Sequence, residues 1–96
     1  MEDAETIGQR LKRERVAKGL GQRDLAEMVK VGVPHISKIE ADRENPSDDL
    51  LKAMAEVFGV PHDEFLLVAR RMPGELMERL AEDPVEALEM LRTWKK

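Results

Sequence analysis

Apolar positions recur at helical spacing in two short neighbouring segments, and the rest of the chain is organised around these segments. Leu25, Ala26 and Val29 fall at positions i, i+1 and i+4, which lie on one face of a helix. Ile36 and Ile39 stand three residues apart on the next segment. A short turn separates the two segments, so each can bury its apolar face against the other. The pattern predicts a helix-turn-helix.

Capping signals predict a helix before this pair and constrain the turn within it. Thr6 and Gln9 match a capping box, so a helix is expected over about Thr6–Lys18, with Gly19 as its stop signal. In the turn, Lys30 stands where a left-handed backbone is expected, at a cost of roughly 1 kcal/mol. Gly32 is placed to cap the helix that follows the turn.

The remaining helical segments follow from the same signals. Apolar periodicity places the second and third helices at about residues 22–29 and 33–41. Ser47 caps a fourth helix, which Gly59 ends, and Val60–Pro61 restarts the chain before a fifth. The sequence contains no internal repeat. The chain is therefore expected to be all-α.

A Met-Pro-Gly break at residues 72–74 separates a five-helix domain (1–71) from a helical tail (72–96). The tail has a helical pattern over residues 75–82 and a second helix capped by Asp83. Its apolar side chains can form a dimer interface or cover the first and fifth helices, and we expect the dimer interface. The residues of this apolar stripe are Leu76, Leu80, Val85, Leu88, Leu91 and Trp94.

Charge is distributed unevenly along the chain. The net charge is −4, yet residues 1–45 are neutral and residues 46–96 carry the whole excess. Within residues 9–23 a single acid accompanies the cations Arg10, Lys12, Arg13, Arg15, Lys18 and Arg23. A local basic patch matters more for DNA binding than the total charge does, so the acidic total leaves a nucleic-acid partner possible. The low aromatic content disfavours stacking on single strands or RNA.

Composition disfavours several other classes of function. The chain has no cysteine, and its two histidines form no metal-ligand set. It has no nucleophile–base pair and no phosphate-binding glycine loop, so we expect neither an enzyme nor a cofactor. No apolar run is long enough to span a membrane, and the acidic N-terminus is unlike a signal peptide. We therefore expect a cytoplasmic protein.

The order of these elements resembles the XRE-type regulators, the helix-turn-helix group that includes the cI and Cro repressors of lambdoid phages. The similarity covers about residues 6–68. IGQRLKRERVAKGLGQRDLAEMV resembles the first two helices, and VPHISKIEADRENPSDDLLKAMAEVFGVPHDEFL resembles the rest. The resemblance implies a five-helix, lambda-repressor-like DNA-binding domain whose third helix enters the major groove of double-stranded DNA. The tail lies outside the match.

The resemblance also implies roles for particular residues. Arg15 and Glu40 match an ion pair that joins the first and third helices. Gln22 matches a glutamine that holds a DNA phosphate, and Arg43 and Asn45 match loop residues that approach the DNA backbone. The expected DNA-binding residues are Gln22, Arg23, Val33, Pro34, Ser37, Lys38, Arg43 and Asn45.

Four positions depart from the pattern of these regulators. Val33 and Pro34 stand where phage relatives often have polar residues, and they can only contact a thymine methyl or shape the fit. Direct readout of guanine would therefore fall on Lys38. Lys30 and Asp42 replace the usual glycines of the turn and of the loop after the third helix. Asp42 would place a negative charge near the expected path of the phosphates.

Two features have structural explanations as well as functional ones. The cations of the first helix are either phosphate contacts or a solvated, ion-paired surface, and for Arg13 and Lys18 the two explanations weigh equally. His35 could contact DNA or sense pH. We expect it instead to be half-buried between the second and third helices.

These observations predict a transcriptional regulator, with repression as the expected mode, that binds double-stranded DNA as a homodimer. One helix-turn-helix reads only half of a DNA site. A dimer that holds two of them roughly 34 Å apart doubles the contacts with DNA. The alternative is a protein-interaction module whose acidic second half binds a partner protein, as an antitoxin does. Val33–Pro34, Asp42 and the charge of residues 46–96 favour this alternative.

Overall fold

The computed structural model describes residues 4–94, which form seven helices and no strand. The prediction of an all-α chain is confirmed. Five of these helices lie within residues 7–68, and the tail contributes the other two. None of the described helices has the length and apolar character that a membrane crossing needs. The helices are α1 (Ile7–Ala17), α2 (Gln22–Val29), α3 (Val33–Glu40), α4 (Asp48–Phe58), α5 (His62–Val68), α6 (Gly74–Glu82) and α7 (Pro84–Thr93).

Local capping interactions set the starts of three helices. The Gln9 N–H donates to Thr6 Oγ1 at 3.1 Å, and the Thr6 N–H donates to Gln9 Oε1 at 2.9 Å, which completes the capping box of α1. The Ser47 hydroxyl oxygen and the Asp83 carboxylate accept backbone N–H groups at the starts of α4 and α7. The three predicted helix starts are confirmed.

The turn between α2 and α3 has the predicted left-handed residue. Lys30 ends α2 at φ 60° and ψ 47°. The chain then reverses, and α3 packs against α2. Leu25 and Ala26 of α2 and Ile36 and Ile39 of α3 are buried, which is the face-to-face packing that their spacing predicts.

One apolar core holds α1 to α5 together. The helix α1 packs against α3, α4 and α5, and α4 packs against α2 and α5. The rings of Phe58 and Phe65 meet edge to face with centroids 6.2 Å apart, and the Arg10 guanidinium lies 5.3 Å from the Phe65 centroid. The buried core residues are Leu11, Leu25, Ala26, Ile36, Ile39, Leu50, Leu51, Met54, Ala55, Phe58, Phe65 and Leu66.

The tail forms a helical pair that extends away from this core. Among residues 4–94, α6 and α7 pack extensively only against each other. The radius of gyration is 15.5 Å, whereas a compact chain of this length has a value of about 12–13 Å. The molecule is accordingly elongated, with extents of 46 × 30 × 23 Å. The tail helices therefore pack more extensively on each other than on α1 or α5.

Candidate nucleic-acid interface

The helix α3 presents an outer face made of predicted DNA-binding residues. Pro34, Ser37 and Lys38 are exposed, and their spacing of i, i+3 and i+4 places them on one side of the helix. Val33 is half-buried and packs against the core. The outer face is therefore built from one proline, one hydroxyl and one ammonium group, and Val33 packs against the core beside it.

A buried hydrogen-bond network fixes the end of α3 against the start of α2. Arg15 Nε and Nη2 donate to the two Glu40 carboxylate oxygens at 2.7 and 2.9 Å, and Arg15 Nη1 donates to the Leu20 carbonyl at 2.8 Å. The hydrogen bonds that Arg15 donates to the Glu40 carboxylate hold the pKa of Arg15 above its ordinary value. Gln22 Nε2 donates to Glu40 Oε1 at 3.1 Å. Gln22 is thus held at the N-terminus of α2 by the same carboxylate that joins α1 to α3.

The loop after α3 is folded back onto the rest of the domain through Asp42. This residue has φ 60°, and its carboxylate accepts hydrogen bonds from the Thr6 hydroxyl at 2.7 Å and the Gly8 N–H at 3.1 Å. The sequence suggested a charge near the phosphates, but the structure gives this carboxylate two donors at the N-terminus of α1. A helix N-terminus favours an anion, because its first N–H groups lack partners within the helix.

Gly8 makes this contact between α1 and the loop possible. A Cβ at this position would lie 2.5 Å from Asp42 Oδ1 and 2.5 Å from the Ile39 carbonyl oxygen. The second of these atoms belongs to the backbone and cannot rotate away. Glycine is therefore required where the first turn of α1 meets the end of α3.

The remaining predicted contact residues lie on exposed loop and helix positions around α3. Arg43 and Asn45 are exposed in the loop that follows α3, and the Arg43 N–H donates to the Lys38 carbonyl at 2.8 Å. Arg23 is exposed in the first turn of α2. Of the flanking residues, Gln22 contacts the end of α3 through Glu40, and the Arg43 backbone contacts it through the Lys38 carbonyl.

Glu44 is a feature of this surface that the sequence alone did not reveal. Its two carboxylate oxygens contact two side chains of α3: Oε2 lies 2.5 Å from His35 Nδ1, and Oε1 lies 3.6 Å from Lys38 Nζ. His35 is half-buried, as expected, and its ring contacts this loop residue. The spacing of these residues in the sequence does not predict the contact, because the contact depends on the reversal of the chain after α3.

Much of the basic run in α1 is engaged in ion pairs. Arg13 donates to both carboxylate oxygens of Glu5, at 2.8 and 2.9 Å, and these hydrogen bonds lower the pKa of Glu5. Arg10 pairs with Glu14 at 2.8 Å and also with Glu64 of α5. For Arg13 the structure favours the solvated, ion-paired surface, and Arg10 joins α1 to α5.

The two tail helices enclose an apolar groove of about 520 Å³ with the end of α5. On α7 the groove residues are spaced i, i+3, i+4 and i+7, which is a single stripe on a 3.6-residue helix. Arg79, Asp83 and Glu86 supply its polar lining. The apolar residues that line the groove are Leu67, Met72, Leu76, Leu80, Ala87, Met90, Leu91 and Trp94.

The structure divides the apolar stripe that the sequence suggested for the tail. Leu91 and Trp94 line the groove, whereas Val85 and Leu88 are exposed outside it. Successive steps of three residues drift around a helix with 3.6 residues per turn, so Val85 and Trp94 fall on opposite sides of α7. Ala87 could have been assigned to the groove from the sequence if the apolar residues had been compared at a period of 3.6 residues instead of in repeated steps of three.

Comparison with known proteins places these elements among DNA-binding regulators. Residues 11–65 match the helix-turn-helix family model HTH_3. The HTH-type transcriptional regulator DdrOP3 of Deinococcus deserti is 28% identical over 93 residues, which cover 90% of this chain and 72% of that protein.

Two solved structures are similar over different lengths of the chain. The master regulator for biofilm formation SinR, in complex with DNA, is 35% identical with a TM-score of 0.59, covering 64% of this chain and 98% of that one. The SinR–SinI protein complex gives 28% identity and a TM-score of 0.59, covering 94% of this chain and 82% of that one. The longer of the two similarities therefore extends into the tail.

Proposed function

Because the chain belongs to the XRE-type helix-turn-helix family, we propose that it is a transcriptional repressor that binds double-stranded DNA as a homodimer. The observation that carries the proposal is the exposed outer face of α3, which an interior ion pair and a capped loop hold in place. A helix presented in this way has the geometry that the major groove admits.

The residues around α3 divide into two roles. Gln22, Arg43 and Asn45 flank the helix and bind phosphates, which fixes the position of the protein but carries no sequence information. Ser37 and Lys38 lie on the outer face and read base edges, with Lys38 donating to the O6 or N7 atoms of guanine. Pro34 contributes only shape or a thymine-methyl contact.

Binding to DNA selected from a random pool tests this division. Duplexes enriched by the wild-type chain are titrated by fluorescence anisotropy at several salt concentrations. Lys38→Ala is expected to relax base preference at one position, by about 1–3 kcal/mol of discrimination. Arg43→Ala is expected to weaken every duplex alike and to reduce the salt slope by about 1.

Lys52→Ala is the matched control for these substitutions. Lys52 is an exposed cation on α4, a helix that makes no extensive contact with α3 among residues 4–94. We expect this variant to bind as the wild type does. The proposal of sequence-specific DNA binding would be refuted if the affinity did not depend on salt concentration, or if no sequence were enriched from the pool.

The tail groove supports the homodimer. Leu91 is 53% exposed and Trp94 is 68% exposed in the single chain, although both belong to the apolar lining of the groove. A second copy that enters the groove would bury these side chains and pair two reading helices. Light scattering is expected to give a dimer for the wild type and a monomer for Leu91→Glu.

Leu88→Glu is the control on the same helix, because Leu88 is 50% exposed but lies outside the groove. This variant is expected to remain a dimer. If Leu88→Glu lost the dimer and Leu91→Glu kept it, the interface would lie on the other side of α7. A monomeric wild-type chain would remove the tail-dimer proposal.

A protein partner in the same groove is the second candidate. It is favoured by the similarity to the SinR–SinI complex, which extends over 94% of this chain. A monomeric wild-type chain that captures a partner protein, with capture abolished by Leu91→Glu and kept by Leu88→Glu, would support this candidate over the homodimer. Failure of both variants to alter capture would place the partner elsewhere.

A further inference from the structure

The loop after α3 brings one carboxylate against both basic side chains on the outward side of that helix. The backbone hydrogen bonds from Asp42 to Ile39 and from Arg43 to Lys38 reverse the chain, with N···O distances of 3.0 and 2.8 Å. Glu44 therefore returns alongside the helix it has just left. Its carboxylate reaches His35 and Lys38, which lie one turn apart.

Glu44 is not part of the interior ion-pair network of the domain. Its side chain is 38% exposed, and the side chains of His35 and Lys38 are 37% and 57% exposed. An exposed ion pair contributes little to folding, because water already solvates both charges. The contact is therefore more consequential for what Lys38 can bind than for the stability of the fold.

We propose that Glu44 is a positioning residue for sequence readout, which holds Lys38 and His35 on α3 and restrains them from binding DNA phosphates at random. The inference rests on the proposed DNA binding. An unrestrained lysine is a flexible point charge that can pair with a phosphate on any duplex. With the carboxylate beside it, Lys38 exchanges this partner efficiently only for a well-placed acceptor pair on a guanine.

The restraint acts differently on the two kinds of DNA. On an arbitrary sequence, the Glu44 carboxylate repels the phosphates and competes with them for the ammonium group. On a selected sequence, the base acceptors compensate for the loss of this partner. Glu44 therefore lowers non-specific affinity more than specific affinity, and the ratio between the two increases.

Glu44→Gln tests the proposal, because it keeps the length and shape of the side chain and removes the charge. Two probes are used: a random-sequence duplex, and a duplex enriched from a pool by the wild-type chain. We expect about fivefold tighter binding to the random duplex, the scale of an exposed ion pair, and less than a twofold change for the selected duplex. On the random duplex, a steeper salt dependence for Glu44→Gln than for the wild type would show that the added affinity comes from phosphate contacts.

Glu56→Gln is the matched control, since it removes the same charge from an exposed position on α4. It is expected to leave the ratio of the two affinities unchanged. Equal changes on both duplexes, no change on either, or selective loss of the selected duplex would overturn the proposal. The last result would identify Glu44 as a direct reader that accepts a hydrogen bond from cytosine N4.

The results for the wild type and for Glu44→Gln distinguish a failure of the Glu44 proposal from a failure of the proposed function. A wild-type chain that selects a sequence, combined with a Glu44→Gln variant that behaves identically, refutes only the role of Glu44. A wild-type chain that binds no duplex, combined with a Glu44→Gln variant that binds the random duplex, refutes sequence-specific binding and with it the positioning role of Glu44. If neither chain binds any duplex, both proposals fail.

Discussion

The core and the tail of this chain use the same kinds of side chain in opposite ways. In α1 to α5, Leu51 is fully buried and even Arg15 and Glu40 are shielded from water by pairing with each other. In α6 and α7, leucines at helical spacing remain about half exposed around an open groove. The apolar core of α1 to α5 is buried within one chain, whereas within residues 4–94 the tail leaves apolar side chains exposed around a groove.

Removal of Arg15 is expected to have the largest effect on the core. Arg15→Met leaves Glu40 as a buried carboxylate without its cation, and the expected loss of unfolding free energy is about 4 kcal/mol. Urea denaturation at neutral pH measures it. Adding Glu40→Leu to this variant should recover most of the stability, because the uncompensated charge is gone. A single variant that loses less than about 1 kcal/mol would show that water solvates the pair.

Matched leucine truncations compare the two regions directly. Leu51→Ala removes a fully buried side chain and should lower the unfolding free energy by about 3 kcal/mol. Leu91→Ala removes a side chain that is 53% exposed in the single chain. It should cost less than about 1 kcal/mol when unfolding is measured at a concentration where the chain is monomeric. Equal costs would mean that the tail is packed as the core is.

Matched glycine substitutions make the same comparison on the backbone. Gly8→Ala forces a Cβ onto the Ile39 carbonyl and Asp42, and it should destabilise the fold by about 2 kcal/mol in urea denaturation. Gly74→Ala meets no atom within 4 Å at the start of α6, so no loss of stability is expected. A tolerated Gly8→Ala would show that α1 can shift away from α3 without cost.

The smallest expected effect is a pH dependence at the Glu5–Arg13 pair on the surface of the core. Hydrogen bonds from Arg13 lower the pKa of Glu5 below its ordinary value of 4.5. A carboxyl group with a depressed pKa stabilises the fold above its unfolded-state pKa, and this contribution is lost as the pH falls through the folded-state value. The melting temperature of Glu5→Gln should therefore be slightly lower than that of the wild type at neutral pH, and the two should converge in acid. In an Arg13→Gln background, Glu5→Gln should have no effect at either pH.

The sequence predicted those features of the fold that depend on neighbouring residues. Thr6 with Gln9, Ser47 and Asp83 cap helices through contacts three residues away, and Lys30 stands in the turn where a left-handed residue was expected. Such signals are local and can be recognised in a single sequence. The all-helical architecture and the helix-turn-helix followed from them.

The features that the sequence did not reveal depend on distant parts of the chain. Asp42 caps a helix that begins 35 residues earlier in the chain, so its role depends on how α3 packs against α1. Glu44 is close in sequence to Lys38, but only the reversal of the loop brings their charges together. The DNA contacts of α3 remain predictions, because helix exposure alone does not identify the bases that are read.

The contact between Asp42 and the first turn of α1 limits how far this reading helix can be exchanged as a module. A graft of residues 33–45 onto another helix-turn-helix scaffold would carry Asp42 but leave behind Thr6 and Gly8, its two hydrogen-bond donors. A recipient with any larger residue at the position of Gly8 would displace the transplanted loop, and with it Arg43 and Glu44. The smallest unit suitable for transfer therefore begins at Thr6.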